Sequence, residues 1–145
     1  MQKYVWTGIV ATVAAVALAF AAAAFGGGAP EHATLTGSQE VPAADPDGSG
    51  TATLRLNPGK GTICYHLTVS NLGPVTAAHI HAAPLGVNGP IVVPLQAPTT
   101  GSSTACATVA RDLVRAILKH PASYYVNVHT TEFPGGAIRG QLGRG

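Results

Sequence analysis

The sequence predicts an all-β domain, a β-sandwich or Greek-key barrel carrying one short helix. Short segments rich in Val, Ile, Leu, Thr and Tyr recur at close intervals after the first thirty or so residues. Turn formers separate them: Asp45-Pro46-Asp47-Gly48, Pro58-Gly59, Gly73-Pro74, Asn88-Gly89-Pro90 and Pro134-Gly135-Gly136. One stretch alone has helical periodicity. Closely spaced short strands with turns of this kind close into sandwiches or barrels.

Taken in order, strands are expected over 31–36, 50–57, 61–70, 77–82, 91–95, 103–108, 124–129 and 137–142. The helix is expected over 110–119, where the apolar positions 110, 113, 114, 117 and 118 share one face. Thr108 or Asp112 could cap its start, and His120-Pro121 ends it. It reads as a crossover helix packed over one end of the β structure.

The N-terminal segment, 1–29, has a different character. Lys3 precedes a run from Val5 to Phe25 without a charged residue, which ends in Gly26-Gly27-Gly28. Small residues at Ala19-Phe20-Ala21 and Ala22-Ala23-Ala24 suit a signal peptidase, so the segment reads as a secretory signal. An uncleaved N-terminal anchor is the competing reading. Either one exports the single domain at 31–143, making it secreted, periplasmic or held at the cell surface. Membrane association is expected only if the segment stays uncleaved. The net charge of +2 is too small to imply a nucleic-acid partner, and no Lys/Arg run suggests one, so none is expected.

The chain's two cysteines, Cys64 and Cys106, both fall in this domain. An even count in an oxidising compartment favours a disulfide, with two free buried thiols as the alternative. Strand alternation also assigns faces. Residues 63, 65, 67 and 69 turn inward, leaving Cys64 and His66 outward; 105, 107 and 109 turn inward, leaving Cys106 outward. Both cysteines are thus placed on outer faces independently.

The same alternation carries the chemistry. In Ala78-His79-Ile80-His81-Ala82, Ile80 faces the core, and His79 and His81 project side by side on the outer face. In Tyr124-Tyr125-Val126-Asn127-Val128-His129, residues 124, 126 and 128 face inward and His129 outward. Four histidines, His66, His79, His81 and His129, therefore stand on polar strand faces. The bland reading is ordinary exposed histidine, because periodicity does not say whether these strands are neighbours. If they cluster, ligation by imidazole without thiolate suits copper or zinc, with copper favoured by the Irving–Williams order. Asp45-Pro46-Asp47-Gly48-Ser49-Gly50 resembles a calcium loop but lacks its spaced acidic residues, so it reads as a turn. The acidic residues Glu31, Glu40, Asp45, Asp47, Asp112 and Glu132 form no evident catalytic pair. No nucleophile elbow, phosphate loop or His-Glu-x-x-His motif is present.

Several motifs together carry a family resemblance. They are Leu35-Thr36-Gly37-Ser38-Gln39-Glu40-Val41-Pro42, Gly50-Thr51-Ala52, Ile63-Cys64-Tyr65, Ala77-Ala78-His79-Ile80-His81 and Gly86-Val87-Asn88-Gly89-Pro90-Ile91-Val92-Val93. Tyr124-Tyr125-Val126-Asn127-Val128-His129-Thr130 and Pro134-Gly135-Gly136-Ala137-Ile138-Arg139-Gly140-Gln141-Leu142 complete the set. In these the chain resembles the CHRD domain, the module repeated in chordin and found singly in many exported bacterial proteins. The resemblance implies an immunoglobulin-like β-sandwich and interaction with other extracellular or envelope proteins. His79, His81, His129 and Arg139 fall at positions typical of the bacterial members. His66 stands where a variable polar residue is expected, and Ala137 where the family often has Glu.

In site arrangement alone the chain is also similar to copper-dependent superoxide dismutases. That similarity implies His79, His81 and His129 as copper ligands, His66 as a fourth, and Arg139 as the cation that attracts superoxide. The alternative for Arg139 is a strand-surface guanidinium paired with a carboxylate or a loop carbonyl. Three readings follow: a binding module holding copper or zinc, a redox enzyme of the superoxide-dismutase type, and a metal-free extracellular interaction or envelope domain.

Overall fold

A computed structural model of the chain describes residues 29–144. The expected signal or anchor at 1–29 lies outside the described residues except for its last position. Eight strands form: β1 (Ala29–Thr36), β2 (Ser49–Asn57), β3 (Thr62–Ser70), β4 (Val75–Ala82), β5 (Ile91–Leu95), β6 (Ser102–Thr108), β7 (Tyr124–Thr130) and β8 (Ile138–Gln141). One helix, α1 (Arg111–Lys119), bridges β6 and β7. Every expected strand is present within a few residues of its expected bounds. Among the described residues, no helix is long and apolar enough to cross a membrane.

All eight strands hydrogen-bond in one continuous sheet, in the order β5-β4-β7-β8-β1-β2-β3-β6, with antiparallel neighbours throughout. The sheet curls until its ends approach. Ser103 of β6 donates to the carbonyl of Gln96, just past β5, at 2.8 Å. The described residues thus form a nearly barrel-shaped all-β fold of one continuous antiparallel sheet with one short helix.

Period-two alternation fills the interior. Leu35 of β1, Leu54 and Leu56 of β2, Ile63 and Leu67 of β3, Ile80 of β4, Val93 of β5, Val126 and Val128 of β7 and Ile138 of β8 are all buried. The helix closes one end. Val114 and Ile117 are fully buried, and Leu113 and Leu118 pack beside them. Each Leu or Ile so buried contributes about 1.5–3 kcal/mol. Pro94 is tolerated because β5 ends the sheet, so its missing N–H costs no ladder bond to a further strand. Asp45 Oδ1 accepts from the backbone N–H groups of Asp47 (3.1 Å) and Gly48 (2.9 Å), so that loop is an Asx-type turn.

Cys64 and Cys106 are register partners on β3 and β6 and form a disulfide. The bond ties the last strand of the sheet to its neighbour across 42 residues of chain. By loop-closure entropy it stabilises the fold by about 3–4 kcal/mol. Replacing both cysteines with alanine should lower the unfolding free energy by that order in urea titrations. A loss below about 1 kcal/mol would show that the bond constrains the unfolded chain far less than this.

Candidate metal centre

The centre is built on β4 and β7, which are neighbours in the sheet although their histidines lie about 50 residues apart in sequence. Register pairs His79 with Asn127 and His81 with Tyr125, and places His129 opposite Ala77. His79, His81, Tyr125, Asn127 and His129 therefore share the outer face. One ring nitrogen from each of His79, His81 and His129 lies within 4.8 Å of the others. His79 Nδ1 and His129 Nε2 are 3.0 Å apart. Two ligands about 2.0–2.1 Å from one ion are separated by at most about 4.2 Å. Small side-chain rotations thus bring all three onto a common ion.

The outer face here is not open to solvent. His81 is only 8% exposed, and Tyr125 and Asn127 are buried. Loops following β1, β4 and β7 fold over it, and two of them fix imidazole tautomers. His81 Nδ1 donates to the Gly89 carbonyl at 2.8 Å, and His129 Nδ1 donates to the Pro134 carbonyl at 2.9 Å. A backbone carbonyl accepts only, so in each ring the proton sits on Nδ1 and Nε2 keeps its lone pair. Metal-binding histidines are commonly oriented in this way. Gly89 must be glycine, because a Cβ there would overlap the Ala82 carbonyl. Its N–H donates to the Tyr125 hydroxyl at 3.3 Å, and the Tyr125 ring stacks on His81 with centroids 4.7 Å apart.

Burial, followed by the neighbouring His129 and His81, holds the His79 imidazole below its ordinary pKa, with Asn127 opposing. His81 is likewise lowered, chiefly by burial, with the neighbouring His129 and Arg139 acting in the same direction. Both shifts favour the neutral, ligating form at neutral pH.

The remaining expected site residues lie elsewhere. His66 is on β3 between Thr53 of β2 and Thr104 of β6, and its Nδ1 is 2.7 Å from the Thr104 hydroxyl. It is not part of the cluster: β3 pairs with β2 and β6, not with β4 or β7, and the grouped imidazoles are those of His79, His81 and His129. Arg139 of β8 is near the centre but is not a free cation. It is 3% exposed, and its Nη2 and Nε contact Glu40 Oε2 at 2.8 and 3.0 Å. It also donates to Asn88 Oδ1 and to the Val87 carbonyl, and its guanidinium lies 4.0 Å over the Tyr125 ring. Burial pushes the Glu40 carboxyl up and Arg139 pulls it back. The guanidinium is thus paired with a carboxylate and shielded from solvent. The pairing alternative describes it, with burial in place of a surface position.

Sequence reasoning missed Glu40, Tyr125, Asn127, Gly89 and Pro134 as parts of the centre. The available signal was that 125 and 127 share the face of 129. The loop residues gave none.

Together these features define an all-β domain with a histidine-rich outer face roofed by loops. The CHRD domain family model matches residues 32–142, and the chain belongs to that family. No curated protein and no solved structure matches it.

Two outcomes follow from the site's electrostatics. Arg139→Met leaves Glu40 buried without its cation and should cost about 3–5 kcal/mol in urea unfolding. A cost under about 1 kcal/mol would mean that the pair is not desolvated. In metal-free protein, unfolded imidazoles take up protons near pH 6.5, before the lowered His79 and His81 of the fold do. The unfolded state then binds more protons, so stability should fall as pH drops below about 6.5 and level off beneath the folded pKa values. His79→Gln with His81→Gln should flatten that slope, and an unchanged slope would assign it to other groups.

Proposed function

We propose that this is an exported CHRD-domain binding module that holds a copper or zinc ion through His79, His81 and His129. The observation that carries the reading is the convergence of three imidazole nitrogens within 4.8 Å on adjacent strands. The Gly89 and Pro134 carbonyls support it by leaving the Nε2 lone pairs of His81 and His129 free to ligate. A nitrogen set without thiolate suits Cu(II) and Zn(II), and copper binds more tightly at equal availability. The disulfide fits an oxidising compartment and so supports export. In that compartment the module serves metal handling or metal-linked support of the fold, and the surface around the centre is what extracellular or envelope proteins would meet. No observation favours the redox-enzyme reading, since Arg139 is committed to Glu40.

Equilibrium dialysis should show one Cu(II) or Zn(II) retained per chain, and none by His79→Ala/His81→Ala. At a free metal concentration 100 times Kd, binding to the folded state alone should add about 2.7 kcal/mol of stability, read as a higher melting temperature that chelator reverses. Equal uptake by wild type and the double variant, or melting temperatures indifferent to metal and chelator, would sink the reading.

A further inference from the structure

Asn127 occupies the middle of the histidine cluster and is 1% exposed. Its backbone neighbours are His79 on β4 and Arg139 on β8, and the flanking Val126 and Val128 are anchored in the core. The side chain is therefore held on the outer face between the ligating histidines. Its Oδ1 lies 3.1 Å from His81 Nε2. That is a meeting of two acceptors. The His81 proton is on Nδ1, fixed by the Gly89 carbonyl, so Nε2 presents a lone pair to the amide oxygen. Two lone pairs at hydrogen-bond distance repel unless a cation lies between them or the amide is turned so that Nδ2 donates.

The separations fit a cation. His81 Nε2 to Asn127 Oδ1 is 3.1 Å, and His79 Nδ1 to His129 Nε2 is 3.0 Å. Nitrogen and oxygen donors without thiolate suit Cu(II), which also binds more tightly than zinc at equal availability. We propose that Asn127 Oδ1 is the fourth ligand of the centre, completing a set of three imidazole nitrogens and one amide oxygen that selects Cu(II). The inference rests on the metal-binding reading above and adds a ligand and a preference to it. Asn127 contributes no charge, so the bound ion keeps its full positive charge beneath the loops that cover it.

The two orientations of the amide predict opposite effects. As a ligand, Asn127 holds the ion, and its removal weakens binding. Turned to donate from Nδ2, it occupies the His81 lone pair and competes with the ion, so its removal leaves binding unchanged or tightens it. Cu(II) competition titrations on the full chain should show at least a tenfold loss of affinity in Asn127→Ala. Asn127→Asp, which keeps an oxygen at that position and adds a negative charge, should bind more tightly than wild type. Asn127→Ala binding as well as wild type would overturn the assignment while leaving the three-histidine reading intact. Failure of wild type itself to take up Cu(II) would overturn that reading and this one together. Because a buried position can lose its fold on substitution, wild type also supplies a direct test. With Cu(II) bound and asparagine labelled with carbon-13 at Cγ, electron–nuclear double resonance should show a ligand-scale carbon coupling. Its absence would remove Asn127 from the coordination sphere.

Discussion

The ion pair between Arg139 and Glu40 is the contact on which the outer face of β4, β7 and β8 depends. The two residues are 99 positions apart, and both are almost fully buried. A buried pair of this kind gains little net stability, because desolvation offsets the attraction, but losing one member leaves an uncompensated charge. Its effect is therefore positional. With Glu40 holding one side of the guanidinium, the other donors reach Val87 and Asn88 and fasten that loop over the sheet. Asn88 in turn donates to the Val41 carbonyl, tying the loop to the segment that carries Glu40. Gly89, the next residue, then presents its carbonyl to His81. A carboxylate placed after the first strand thus fixes the tautomer of an imidazole on the fourth.

The same covering explains why β7 is buried on both faces. Its inward residues Val126 and Val128 belong to the apolar core, as alternation requires. Its outward residues Tyr125 and Asn127 form a small polar interior, where each polar group must find a partner. Tyr125 does so in two ways. Its ring lies between His81 of β4 and Arg139 of β8, and its hydroxyl accepts from Gly89. The disulfide lies toward the other end of the strand order, on β3 and β6, where Cys106 is exposed. The ends of the sheet are therefore secured by different means, one by a covalent cross-strand tie and the other by buried polar contacts.

What was legible in the sequence is what period-two and period-3.6 patterns encode. The strands, the helix over 110–119 and the outward placement of His79, His81 and His129 all follow from local alternation. Alternation also placed His66 outward, and it is outward; what alternation does not encode is which strands are neighbours. β4 pairs with β7, and β3 with β2 and β6, through register set by long-range contacts. His66 and His79 therefore look equivalent in sequence and stand apart in space. Arg139 shows the second limit. An outward residue on a half-buried strand reads as solvated, but loops supplied from 40–45 and 87–90 make that surface an interior. No local pattern in those loops announces the covering, because the bonds that hold them run to residues about 50 and 99 positions away.

The three histidines are not equivalent, and the difference follows from their partners. His81 and His129 are each oriented by a backbone carbonyl, so their ligating nitrogens are fixed by the chain path and not by another side chain. His79 has no such carbonyl. Its Nδ1 is turned to His129 Nε2, so in the metal-free protein one histidine donates to the lone pair of another. For His79 to offer Nδ1 to the proposed ion, that proton would move to Nε2, leaving a neutral imidazole whose Nδ1 lone pair faces His129 Nε2. Binding would therefore ask for little rearrangement of His81 and His129, while His79 would change tautomer. The loop carbonyls orient two of the three histidines in advance, and His79 is the one that would adapt.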